Sequence, residues 1–331
     1  MIDYIVSALT VGVMFTIFSL ALNVRWGWSG DLDLSVMAYV AVGAYTAAVF
    51  MVGPSKLPPP EHWILGLHQP FIVAVLAAMV VCGVLSLIVG TIALRSLRGD
   101  YFAITTLATT LIIYAFISQY LPLFDGFEGV VGIPQPFETV LNLDPSTYNY
   151  FYFAFCVVAL VLVYLILQAI IRSPFGRALR AVREDELASK AFGRNVFGLK
   201  LTAYVIGGMF AGLGGALFAA YLGVWNPYAW DTSETFLLLG AILIGGSGNL
   251  RGVILGTFFI VVLIQEATRF LPTIPGHEDA ATAIRFIAVG VLILAVLRWR
   301  PQGLLPEPRD KDVEATKNRS VAPVPIGTTG G

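Results

Sequence analysis

Long apolar segments separated by short polar connections make up most of this chain. A helix needs about 20 apolar residues to cross a hydrocarbon layer of about 30 Å. Short connections and the absence of alternating polar positions argue against a transmembrane β-barrel. The pattern therefore predicts an all-α fold, a polytopic transmembrane helical bundle of about nine spans. The predicted spans are residues 4–23, 34–53, 70–94, 101–121, 148–171, 201–223, 234–250, 252–271 and 281–299.

The segment 234–250 is the weakest of these predicted spans. It is short, and it ends in the small residues Gly-Gly-Ser-Gly at positions 245–248. A re-entrant or broken segment is the alternative, and the number of spans would then fall to eight. A phosphate-binding loop is a poor interpretation, because no Lys-Ser/Thr pair follows and the flanking segments are apolar helices.

Composition favours a membrane protein. Hydrophobic residues make up 57% of the chain and charged residues 12%, whereas soluble domains carry about 25% charged residues. We expect one transmembrane domain over residues 1–300 and a disordered cytosolic tail over residues 301–331, which is polar and rich in proline. The net charge of −1 gives no reason to expect nucleic acid as a partner.

One polar stretch, residues 172–200, interrupts the apolar pattern and is called the basic segment below. Ser173 and Pro174 are typical of a helix start, and Gly193 is typical of a helix end. Periodicity predicts one or two short amphipathic helices and leaves open whether they bind anionic lipid or dock a protein. The segment holds seven of the 20 Lys and Arg residues, namely Arg172, Arg177, Arg180, Arg183, Lys190, Arg194 and Lys200. Its broken apolar face consists of Leu179, Val182, Leu187, Ala188 and Ala191.

The distribution of basic residues predicts the orientation of the chain. Cytosolic loops carry an excess of Lys and Arg. With nine spans, an outside N-terminus and a cytosolic C-terminus, 17 basic residues fall on the cytosolic side, Arg25 among them. Three remain for the outside, namely Lys56, Arg269 and Arg285. The inverse topology would reverse these numbers, so we expect the basic segment to be cytosolic.

Six stretches of the chain carry recognisable motifs in a fixed order between residues 20 and 306. They are ALNVRWGWSGDLDL…VGAYTAA (21–48), SLRGDYFAITTLA (96–108), GRALRAVREDELASKAFGRNVFGLKL (176–201), AGLGGALFAAYLG (211–223), LLLGAILIGGSGNLRGVILG (237–256) and RPQGLLP (300–306). Together they closely resemble the permease subunits of branched-chain amino-acid ABC importers. In that family the cytoplasmic loop docks into a groove of an ATPase. The resemblance implies that here the coupling residues are Arg177, Arg180, Arg183, Glu184, Asp185, Glu186 and Gly193.

The resemblance also implies the partners and the location of the chain. We expect two cytoplasmic ATPase subunits, a second related permease chain and an extracytoplasmic solute-binding protein, in a bacterial or archaeal inner membrane. The chain itself has no nucleotide-binding motif and no catalytic constellation, so we expect no enzyme activity and no cofactor in it. ATP and Mg would be bound by the ATPase subunits, whose hydrolysis would drive alternating access.

The solute stays open at this point. Branched-chain or other small apolar amino acids are favoured by the resemblance, and urea, amides or other small organic solutes are the alternative. The run Asp31–Val36 departs from the Leu-Ser-Leu-Gly-His type of run common in the family. An ion-coupled secondary transporter is the alternative of another class, since such proteins use ionisable residues or unwound helices within the membrane.

Few polar residues fall inside the predicted spans. Asp31 and Asp33 are expected to cap the second span, which leaves Glu266 as the one acidic residue near the membrane interior. Two hydroxyl pairs lie about one turn apart on the fourth span. They either line a pathway for solute or bond to carbonyl groups of their own or neighbouring helices. The candidate pathway residues are therefore Thr105, Thr106, Thr109, Thr110 and Glu266. No metal site is expected.

Overall fold

The computed structural model describes residues 2–53, 66–96, 99–137, 144–230, 232–264, 280–300 and 302–306. Helices dominate these ranges, because an apolar chain in a membrane must satisfy its backbone hydrogen bonds internally. In chain order the α-helices are α1 (Ile2–Leu22), α2 (Val36–Met51), α3 (Phe71–Ser96), α4 (Gly99–Gln119), α5 (Leu121–Phe124), α6 (Pro145–Arg172), α7 (Pro174–Glu184), α8 (Glu186–Ala191), α9 (Val196–Leu222), α10 (Thr232–Gly245), α11 (Leu250–Thr257) and α12 (Ala280–Trp299). Two π-helical segments, Asn23–Gly27 and Phe258–Ile264, continue α1 and α11.

Each predicted span coincides, at least in part, with a helix of the structure. Among the described residues, five helices are long and apolar enough to cross a membrane, namely Ile2–Gly27, Phe71–Arg95, Tyr101–Gln119, Ser146–Arg172 and Val196–Leu222. The shorter apolar helices are Val36–Met51, Ser233–Gly245, Leu250–Val262 and Ile287–Val296. The predicted helical bundle is therefore confirmed as a multi-pass membrane fold in the described part of the chain, while the number of complete crossings stays a prediction.

Helix α9 lies at the centre of the bundle and packs against α1, α2 and α3. Small residues make this close packing possible, as in other membrane helices. A β-carbon on Gly43 of α2 would lie 2.4 Å from the carbonyl oxygen of Gly212, and one on Gly215 would lie 2.0 Å from that of Val40. The small residues of the stretch AGLGGALFAA thus allow close contact with both α2 and α3, where a β-carbon on Gly212 would lie 2.9 Å from the carbonyl oxygen of Ala78.

Helices α10 and α11 form a tight hairpin at the weakest predicted span. The turn contains Gly246 and Gly248, both with positive φ, a conformation that glycine adopts without steric cost. The chain after α12 returns to this turn. The N–H groups of Leu304 and Leu305 donate to the carbonyl oxygens of Ile244 and Gly245, at 2.8 and 3.0 Å. Helix α10 has 14 residues, fewer than the roughly 20 of a full span.

The connections divide between the two ends of the bundle. One end, called the basic end below, carries residues 27–35, the basic segment, the α10–α11 turn and residues 302–306. The opposite end carries a two-stranded antiparallel ribbon of β1 (Val130–Val131) and β2 (Val224–Trp225). Five of the six sequence stretches that carry the family resemblance reach the basic end, so this end is the candidate functional site.

Candidate functional site

The basic segment folds into two short helices, α7 and α8, joined at Asp185. The Asp185 carboxylate accepts a hydrogen bond of 2.8 Å from the N–H of Ala188 and so caps α8. Gly193 follows α8 with a φ of +74°, as the prediction of a helix end requires. Ser173 occupies the N-cap position of α7, but its hydroxyl donates to the carbonyl of Ile170 instead of capping the helix.

The apolar residues of the basic segment face in two directions. Leu179 and Val182 of α7 are buried against the bundle. Leu187 and Phe192, in contrast, are 78% and 85% exposed. The single broken apolar face predicted from the sequence is therefore divided into an anchoring half on α7 and an exposed half around α8. A pair of exposed large apolar side chains on a polar loop is typical of a contact surface for another molecule.

Arginine side chains fix α7 to the membrane helices. Arg177 donates to the carbonyl oxygen of Arg172 at 3.0 Å, and Arg180 donates to that of Ile171 at 3.1 Å. These carbonyls end α6, where no further helical N–H is available to them. Arg183 donates to the carbonyl oxygen of Gly27. These three predicted coupling residues thus position the basic segment.

Acidic residues of the basic segment have separate roles. Glu184 and Asp185 are exposed, whereas Glu186 is half-buried. The Glu186 carboxylate lies 2.7 Å from Lys190 Nζ and 2.8 Å from Lys200 Nζ. These hydrogen bonds, the one from Lys190 first, lower the pKa of Glu186. Glu186 and Lys190 thus form an i,i+4 ion pair on α8.

Lys200 extends this cluster to a second loop. Its Nζ also lies 2.9 Å from Asp31 Oδ1, and both side chains are only 13% exposed. Burial raises the pKa of the Asp31 carboxyl, and Lys200 partly offsets that effect. Asp31 does not cap α2, whose N-cap position is Ser35. Asp31 instead joins the start of α9 to the loop that precedes α2.

A second ion pair is completely buried nearby. Arg25 Nη1 lies 2.6 Å from Asp33 Oδ2, and neither side chain is exposed. Arg25, which the sequence places in the connection after the first span, lies instead in the π-helical end of α1. The prediction that Asp33 caps α2 is wrong, because Ser35 occupies the N-cap position. The expectation that Glu266 lies near the membrane interior stays a prediction. Residues 265–279, which include Glu266, lie outside the described residues.

Aromatic rings and hydroxyl groups surround the buried pair. The guanidinium carbon of Arg25 lies 4.1 Å from the ring centre of Tyr39 and 3.6 Å from that of Tyr204, within the range of cation–π contact. Asp33 Oδ1 accepts hydrogen bonds from the backbone N–H and the hydroxyl of Ser35. The two charges are thus neutralised in place. Sequence reasoning overlooked this pair because Arg25 and Asp33 were each assigned to a loop.

The threonines of α4 differ in what they contact. Thr106 Oγ1 accepts a 3.0 Å hydrogen bond from the N–H of Leu34, and Thr110 Oγ1 donates to the carbonyl of Leu34 at 3.1 Å. Thr105 and Thr109 donate to carbonyls one turn earlier on α4. These hydrogen bonds are of the kind that the sequence offered as the alternative to lining a solute pathway. A pathway-lining role of the threonines stays a prediction.

Within the described ranges, no group of three His, Cys, Asp or Glu could hold a metal ion.

The apolar helices, with a charged and partly apolar loop at one end, define a multi-pass helical membrane protein. Residues 4–297 match the family described as "Branched-chain amino acid transport system / permease component". The chain belongs to this family, whose members are transport subunits and not enzymes. The resemblance inferred from the six sequence stretches is thereby confirmed. No solved structure gives a significant match to the chain.

Curated relatives extend over most of the chain. The high-affinity branched-chain amino acid transport system permease protein LivM of Escherichia coli is 30% identical over 320 residues, which cover 91% of this chain and 69% of the relative. A probable branched-chain amino acid transport permease protein LivM of Methanocaldococcus jannaschii is 27% identical, covering 89% of this chain and 91% of the relative. The guanosine ABC transporter permease protein NupQ of Bacillus subtilis is 24% identical, covering 66% and 67%.

Proposed function

We propose that this chain is a permease subunit of an ATP-driven importer and translocates branched-chain or other small apolar amino acids. Family membership over residues 4–297 carries this proposal. Two relatives from a bacterium and an archaeon are described as permeases for branched-chain amino acids. The chain would act with two ATPase subunits, a second related permease chain and an extracytoplasmic binding protein, and it would contain no cofactor of its own.

The basic segment supplies the contact with the ATPase in this proposal. Leu187 and Phe192 offer exposed apolar side chains, and Arg177 and Glu184 of α7 add exposed charges to the same segment. An apolar centre with a polar rim is the usual anatomy of a protein interface. Lipid anchoring, the other interpretation of an amphipathic helix, is less well supported, because the apolar half of α7 is already buried against the bundle.

The orientation follows from the same assignment. ATP-binding subunits work in the cytosol, so the basic end would face the cytosol and the β1–β2 ribbon would face the outside. The excess of Lys and Arg on the basic end supports this orientation. The energy would come from ATP hydrolysis in the partner subunits, and closure of the ATPase pair would move α7 and α8 and switch the bundle between outward-open and inward-open states.

The identity of the solute is tested by reconstitution. The complete transporter would be placed in proteoliposomes with its binding protein outside and ATP inside. We expect uptake of labelled leucine, isoleucine or valine that requires ATP and persists when ionophores remove ion gradients. Uptake that collapses with an ion gradient and ignores ATP would instead identify a secondary transporter. The buried ion pair of Arg25 and Asp33 gives little support to that class, because both charges are already satisfied.

A second solute class has a specific observation in its favour. The relative NupQ is described as a guanosine permease, so the family is not restricted to amino acids. Urea and short amides remain as further candidates, which the departure from the family at Asp31–Val36 leaves open. The same proteoliposomes distinguish these solutes by competition. An excess of unlabelled guanosine, urea or amide would abolish uptake of labelled leucine only if that solute uses the same carrier.

A further inference from the structure

The loop between α1 and α2, residues 27–35, contacts both the basic segment and the membrane helices, and is called the connecting loop below. Two side chains hold it from the basic segment. Arg183 donates to the carbonyl oxygen of Gly27, and its side chain packs on Gly30, where a β-carbon would lie 2.9 Å from Arg183 Cγ. Lys200, at the start of α9, forms an ion pair with Asp31.

The far end of the connecting loop is held by the bundle. Thr106 and Thr110 of α4 bond to the N–H and the carbonyl of Leu34, respectively. Asp33 is held by Arg25 in the buried ion pair. Both backbone groups of Leu34 are thus fixed to one face of α4, directly before the first turn of α2.

Lys200 joins the connecting loop to α8. Its ammonium lies 2.9 Å from Asp31 and 2.8 Å from Glu186, so it holds the connecting loop and the start of α8 together. The side chain is 13% exposed, and a buried ion pair is screened little by salt. The neighbouring Lys190 bonds to Glu186 as well, but it is 54% exposed and bonds no residue of the connecting loop.

We propose that Lys200 is a positioning residue that transmits displacement of α8 to the connecting loop, and through Leu34 to α4. The inference rests on the proposed function, since it assigns a route to the movement that an ATPase would impose on the basic segment. A movement of α8 displaces Glu186, and the two ion pairs of Lys200 pass this displacement to Asp31. In this arrangement Thr106 and Thr110 serve as the receiving end of the route on α4.

The test compares uptake with ATP hydrolysis in the same proteoliposomes. Lys200→Met keeps a long, unbranched side chain, one heavy atom shorter than that of lysine, and removes both ion pairs. Substitutions along a coupling network change the coupling between two sites by roughly twofold to thirtyfold. We therefore expect the amount of solute transported per ATP to fall by at least about twofold. ATPase subunits should stay bound to the permease, because Leu187 and Phe192 are unchanged. Lys200→Arg should restore the ratio.

The matched control is Lys190→Met, which removes a lysine from the same carboxylate and leaves the connecting loop attached. Its ratio should equal that of the unmodified transporter, and equal ratios for Lys190→Met and Lys200→Met would overturn the proposal. Asp31→Asn is the second variant and keeps Lys200 bonded to Glu186. An unchanged ratio in Asp31→Asn would likewise overturn it. A wild-type transporter without ATP-dependent uptake would refute the proposed function itself, which is a different result.

Discussion

Arg25 and Asp33 form an ion pair of 2.6 Å in which neither side chain is exposed. The pair joins the π-helical end of α1 to the loop before α2, and Arg25 also donates to the carbonyl oxygen of Tyr204 on α9 at 3.1 Å. A β-carbon on Gly207 would lie 2.3 Å from Arg25 Cγ, so a glycine on α9 makes room for the side chain. Three membrane helices therefore meet around one buried charge.

Removal of one partner of this pair should destabilise the protein strongly. Arg25→Met leaves Asp33 charged and buried, and breaking such a pair costs about 3–5 kcal/mol. Thermal unfolding in detergent, followed by size-exclusion chromatography after heating, measures the loss. The double variant Arg25→Met with Asp33→Leu should lose less than the sum of the single variants, because no isolated charge remains. Wild-type stability in either single variant would show that the pair contributes little.

The exposed half of the basic segment should determine binding of the ATPase. The double change Leu187→Ser and Phe192→Ser removes two large apolar side chains, and burial of each contributes about 1.5–3 kcal/mol. We expect the affinity for the ATPase subunits to fall by about tenfold or more, measured by retention on the immobilised permease. Val131→Ser, an exposed apolar position on the β1–β2 ribbon, serves as the control and should bind normally. Equal retention of both variants would contradict the docking role.

The orientation of the chain can be read by chemical labelling. The native Cys82 and Cys156 are free but buried, so they should react slowly with a membrane-impermeant maleimide. Arg194→Cys lies at an exposed position of the basic segment, and Val131→Cys lies at an exposed position of the opposite end. In intact cells we expect labelling of Val131→Cys alone, with Arg194→Cys labelled only after the membrane is opened. The reverse pattern would invert the proposed topology.

Close glycine contacts between α10 and α11 should tolerate no side chain. A β-carbon on Gly252 would lie 2.4 Å from the carbonyl oxygen of Gly245, so Gly252→Ala should separate the two helices and lower thermal stability. The matched control is Gly290→Ala on α12, where nothing lies within 4 Å. There the change should be neutral or stabilise by up to about 1 kcal/mol, since alanine is the better helix former. Similar melting curves for both variants would show that the hairpin can relax.

The helices could be predicted from the sequence because their length is set by the membrane. An apolar stretch must form a helix wherever its backbone has no water to bond, and so 70–94 and 148–171 agree closely with α3 and α6. The ends of the basic helices were also predictable, because Pro174 has a fixed φ suited to a helix start and Gly193 readily adopts the positive φ of a helix end. The number of full crossings could not be predicted, because α10 has 14 residues. A helix of that length is too short for hydropathy alone to show whether it crosses the membrane.

The partners of polar residues required the tertiary structure. Arg25, Asp33 and Lys200 were visible as charges near span ends. The positive-inside rule gave the two bases a sufficient explanation in cytosolic connections, and helix capping gave Asp33 one. Only the packing of α9 against α1 and α2 brings Tyr204 and Tyr39 around Arg25. Likewise, the spacing of Thr106 and Thr110 places them on one helix face, but no local signal indicates that Leu34 lies opposite them.

The return of residues 302–306 to α10 has a consequence for biosynthesis. The carbonyl groups of Ile244 and Gly245 are the last of their helix and receive their hydrogen bonds from Leu304 and Leu305. The ribosome adds these two residues about 60 residues later. The carbonyl groups at the end of α10 therefore lack these hydrogen-bond donors while α12 is translated. A premature stop codon before residue 302 would release a chain with all of its apolar helices and an open end on α10, which a quality-control protease could recognise.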